Sequence, residues 1–183
     1  MKLVSFNLGS MRFARRLGPV AWLALFASTA LAANPAASQS RDIGMRVALI
    51  GLSPPEINQV VSVYAQEAVT CLTFFALARE GLKNSSVFTA EFSSRYERSQ
   101  ALMFTEAEAF FSGPELDHQT KRSFADQWEI RLFGDISKIF VLIGEHDRRC
   151  IEHANNPGAR VRALRDELGF RPWASYARIA QGI

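Results

Sequence analysis

A chain of 183 residues, 48% hydrophobic and 21% charged, has the apolar content for one buried core and too few residues for two comfortable domains. Its formal charge of +3 is unevenly placed, because Lys2, Arg12, Arg15 and Arg16 stand at the N-terminus with no acidic residue among them. Without those four, 17 basic groups face 18 acidic ones, so the electrostatic case for a nucleic-acid partner disappears.

The N-terminal residues have the three parts of an export signal. Arg12, Arg15 and Arg16 form a positive patch, Val20 to Phe26 an apolar run, and Ala30-Leu31-Ala32 a small-residue cleavage site. The pattern predicts removal of residues 1–32; Met11 would serve equally well as the start, since 11–32 is a complete signal by itself. The apolar run falls far short of the roughly 20 residues that span a bilayer, and no transmembrane segment is expected in the mature chain. The residues around Arg15-Arg16 fit a folded-protein export signal poorly, so ordinary unfolded export is expected. The mature protein should therefore be periplasmic or secreted. Residues 33–53 read as a flexible lead-in, with a short apolar stretch from Val47 to Leu52 expected to lie extended against the domain.

Residues 54–183 are expected to form a single helical domain. Ser53-Pro54-Pro55-Glu56 is a capping box with prolines in the first turn, and Leu52 and Ile57 can staple across it. From there Ile57, Val61, Tyr64, Ala68, Cys71, Phe75, Ala78 and Leu82 recur at helical spacing and predict a helix over 54–80. A second stripe, Phe88, Phe92, Tyr96, Ser99, Met103, Ala107 and Phe110, ends at Ser112-Gly113-Pro114. A third runs through about 116–154, where Gly134 and Gly144 each weaken a helix; one kinked helix is the reading. Asn156-Pro157 opens a short helix over 157–168, closed by Gly169 in a Schellman ending that returns Phe170 onto Leu164. Pro172-Trp173 begins a weakly helical tail. The fold class expected is all-α, an antiparallel helical bundle of three to four main helices.

Cys71 and Cys150 read as a disulfide in an oxidising compartment. The pairing sits awkwardly with an up-down-up bundle, in which the first and third helices run parallel. The two sulfurs would then stand at different heights, and a bend or offset would be needed to bring them together.

His146, Cys150 and His153 share one helical face and could ligate zinc or copper if Cys150 were reduced; a bonded Cys150 removes the thiolate. No cofactor is expected. Arg148, Arg149, Arg160, Arg162 and Arg165 make the chain's end basic, either as a docking patch for an anionic partner or as a solvated face. Glu115 and His118 have di-iron spacing, but no second such pair exists, and acids at a helix start are explained by the helix dipole. Adjacent phenylalanines, Phe74-Phe75 and Phe110-Phe111, imply burial on two sides or a homodimer interface. Motifs for a nucleophilic serine, a dinucleotide, a P-loop, a zinc protease or haem attachment are absent from the sequence. The expectation is a non-enzymatic exported protein that binds a protein or envelope partner; a small-ligand or metal-binding bundle is the alternative.

Overall fold

Proline and glutamate at its start and an unbroken apolar interior make one helix the axis of this molecule. The computed structural model describes residues 44–86 and 88–171; residues 1–43, with the expected export signal, and the expected tail from Pro172 lie outside the described residues. A short helix α1 (44–49) precedes the axial helix α2 (Pro54–Leu82), followed by α3 (Ala90–Phe110) and α4 (Gly113–Ala125). α4 runs into one π-helical segment, Asp126–Arg131; a 3-10 turn, Ile136–Lys138, then leads into α5 (Ile139–Asn155), and α6 (Pro157–Glu167) closes the bundle. The described residues contain helices and no strand.

The capping box forms as its sequence implies. The Ser53 backbone N–H donates to the Glu56 carboxylate at 2.7 Å and the Ser53 hydroxyl to the same oxygen at 2.6 Å. Every residue from Cys71 to Ala78 is buried, so this part of α2 is covered on all sides and not on one stripe. This accounts for its apolarity, which among the described helices is uniquely sufficient in length and composition to cross a membrane. It also accounts for Phe74 and Phe75, both fully buried within the chain itself.

α3 runs antiparallel to α2: Tyr64 meets Phe110 at 5.8 Å between ring centroids, and Phe75 meets Tyr96 at 5.2 Å. Arg79 fastens the far end, donating to Gln100 at 2.9 Å and Glu97 at 2.7 Å. α5 is antiparallel to α2 as well, with Tyr64 against His153, Phe74 against His146 and Gly81 against Ile139.

That direction corrects the expected third helix. Residues 113–155 form two helices, because Phe133 and Gly134 both adopt left-handed backbone, with φ of 54° and 70°. Their turn is closed by N–H donation from Leu132 to Gln127 O at 3.0 Å and from Gly134 to Trp128 O at 2.8 Å. One glycine would only bend a helix; two successive left-handed residues end it. Gly144, the other suspected break, lies inside an uninterrupted α5 with nothing within 4 Å of an added Cβ. With α5 antiparallel to α2, the height mismatch vanishes. Cys71 and Cys150 are bonded with Cα atoms 5.2 Å apart.

The lead-in also differs from expectation. Residues 44–49 are helical, and Ala48 is buried with Val60, Tyr64, Val161 and Leu164. Gly44 and Gly158 allow the two backbones to touch: a Cβ on Gly158 would lie 2.8 Å from the Gly44 carbonyl carbon. The Schellman ending of α6 is present, with Phe170 N–H donating to Arg165 O at 2.9 Å and Gly169 N–H to Asp166 O at 3.1 Å.

Candidate functional site

The sequence-derived candidates come together on α5 and α6, where most of them are enclosed. His146, Cys150 and His153 do share a face of α5, and it is the buried one. Cys150 is consumed by its bond to Cys71, so the trio has no thiolate. Among the described residues no group of three or more His, Cys, Asp or Glu side chains is placed to hold a metal ion. The His153 ring stacks on Tyr64 at 4.3 Å, and its Nδ1 stands 3.6 Å from Glu67 Oε2, beyond hydrogen-bond length.

The arginine patch is broken up in the same region. Arg160 is turned inward and grips Glu67 side-on, Nη2 to Oε1 at 2.6 Å and Nε to Oε2 at 2.7 Å, while Nη1 holds Glu167 at 2.7 Å. Arg149 lies 3.8 Å from Glu67 and donates to His146 Nδ1 at 3.1 Å. Arg148 pairs with Glu152, and Arg165 with Asp166 and the Ala48 carbonyl. Arg162 alone of the five is exposed with no ion pair within the described residues. The counter-charge of Arg160 comes from α2, 93 positions earlier in the chain, whereas those of Arg148 and Arg165 are local.

Glu67 is the residue that sequence reasoning missed. Burial, the largest influence on its carboxyl, favours the protonated form. The Arg160 hydrogen bonds, the His153 ring and the charges of Arg160 and Arg149 together outweigh it and hold the pKa at about 2. A signal was present: an acid one turn from Tyr64 and Cys71, inside an otherwise apolar stripe, has to find a cation.

On another side of α2 lies an open cleft of about 620 Å³, walled by α2, α4, the π-helical segment and α5. Its floor is the buried Gln127, whose amide Nε2 donates to Thr70 O at 3.1 Å, to Ser123 Oγ at 3.0 Å and to Thr73 Oγ1. Gln127 Oε1 is buried with no protein partner. π-helical turns widen a helix by one residue and recur at functional positions; here the turn carries Gln127, Ile130 and Arg131 to the cleft together. His146 closes one wall. Burial first, then the Arg149 charge, lowers its pKa, so the imidazole is neutral near pH 7. Since Arg149 can only donate, Nδ1 is the acceptor and Nε2 carries the proton.

Beside this cleft the surface turns apolar. Ile130 is 60% exposed at the end of the π-helical segment, Phe133 73% in the turn that follows, and Phe140 59% and Val141 46% in the first turn of α5. Lys138 Nζ lies 4.8 Å above the Phe133 ring. None of these four was singled out for exposure in the sequence, because Ile130 and Phe140 fall in a stretch read as continuous helix.

No family model, curated protein or solved structure matches this chain.

Proposed function

We propose that this is an exported helical binding protein that engages a partner protein through the apolar knob at Ile130, Phe133, Phe140 and Val141. The observation that carries the reading is Phe133, a bulky residue in left-handed backbone with its ring turned to solvent. That backbone costs on the order of 1–3 kcal/mol and persists where the surroundings over-determine it, typically at functional positions. A cluster of large exposed apolar side chains is the surface feature that calls for a partner. Charges of both signs are interspersed with the knob in sequence, Arg131 and Lys138 with Glu129, Asp135 and Glu145. An apolar centre with a mixed polar rim suits a protein surface, whereas an anionic membrane would favour one-sided basic charge.

A photo-crosslinking side chain placed at Phe140 in the native host tests this reading. A discrete protein adduct is expected, reduced at least tenfold in Phe133→Asn, a variant that relieves the left-handed strain and keeps the fold. An adduct pattern identical to that of a probe at Arg98, on the exposed face of α3, would overturn it.

Export is proposed on two supports: the residue pattern of 12–32, and the fully buried disulfide, a bond that forms and persists in oxidising compartments.

A further inference from the structure

The knob leaves the adjoining cleft without a role, and the two surfaces differ in chemistry. At about 620 Å³ the cleft is of small-molecule size. Its lining is largely polar, with Gln66, Thr70, Gln119 and Ser123 beside Gln127, so an apolar ligand would cover polar groups it cannot satisfy. Two guanidiniums, Arg122 and Arg131, line it with one carboxylate, Asp126. Arg122 has no carboxylate within ion-pair distance among the described residues. Arg131 has only the exposed Glu145, 3.7 Å away, a contact of the kind that is worth little in water. His146 faces the cleft as a neutral group, so it adds a donor and no charge.

We infer that this cleft is a binding site for a small hydrophilic anion of about one sugar ring in size, its carboxylate or phosphate held by Arg122 and Arg131 and its hydroxyls by the polar lining of Gln119, Ser123 and His146. Guanidinium is the donor best matched to both anions, since it presents paired N–H groups to two oxygens at once. The site shares Ile130 with the knob but binds through its own charged groups, so either reading can fail without the other.

Amide NMR of the purified mature protein decides it, with glucuronate as the carboxylate probe, glucose 6-phosphate as the phosphate probe and glucose as the neutral control. Saturable shifts centred on Ser123, Gln127 and Arg131 are expected with at least one of the two anions, and at least tenfold weaker binding with glucose. Which anion binds more tightly identifies the anionic group. Arg122→Gln with Arg131→Gln should weaken the binding at least tenfold, and far-UV circular dichroism should show the helices unchanged, since both side chains are at the surface. Absence of saturable shifts with both anions, equal binding of glucose, or binding that survives the double substitution would overturn the inference.

Discussion

Replacing Glu67 by glutamine would leave the Arg160 guanidinium, whose side chain is 9% exposed, with Glu167 as its remaining carboxylate. Breaking an enclosed ion pair from one side costs about 3–5 kcal/mol, because the remaining charge stays desolvated; a loss near the lower end is expected here, since Glu167 still pairs with Arg160. Acid should produce a related effect. The folded pKa of Glu67 is about 2, below its ordinary value of 4.5. The unfolded chain therefore binds the proton first, and stability is full above about pH 4.5 and falls as the pH drops towards 2. This single group should contribute roughly 3 kcal/mol to that loss. Urea titrations at pH 7, 4 and 2.5 check both points: Glu67→Gln should be less stable than the wild type at pH 7 and show a shallower decline in acid. An unchanged decline would mean that other carboxylates govern it. The place of Glu67 within the apolar stripe of α2 showed that it would need a cation, but not which one. Its partner lies on α6, and only the fold brings the two together.

Among the elements, α2 and α3 were legible from their stripes, with Ser53 and Glu56 opening the one and Gly113-Pro114 closing the other, while Thr89 as the cap of α3 emerged only in the structure. The segment between Gly113 and Asn155 was not legible. Its apolar period continues through Phe133-Gly134, and no local rule announces that a phenylalanine will take a left-handed conformation. Undoing the disulfide tests how much this arrangement depends on a covalent tie. It spans a sequence separation of 79 residues, and its loss should lower stability by about 2–5 kcal/mol. Equilibrium unfolding of Cys71→Ser with Cys150→Ser should show that decrease with native helicity retained, since both positions lie in helices held by aromatic packing. Loss of helicity at 25 °C would show instead that the bond is needed to bring α5 antiparallel to α2.

For the whole molecule, the expected consequence of export is a mature chain beginning at Ala33. Intact mass of protein from its native host should correspond to residues 33–183, with no alkylatable thiol under non-reducing conditions. A full-length chain retained with two free thiols would contradict the proposed location. By itself the sequence determined that the domain is helical, where its longest helix begins, where the next one stops, and that two cysteines were available to bond, because capping, periodicity and residue counts act locally. Tertiary structure alone decided the direction of α5, the enclosure of the second half of α2, the pairing of Arg160 with Glu67, and the opening of a polar cleft beside exposed apolar side chains. Each of those depends on which residues meet across the bundle, and a linear pattern specifies the face a residue occupies without specifying what that face will touch.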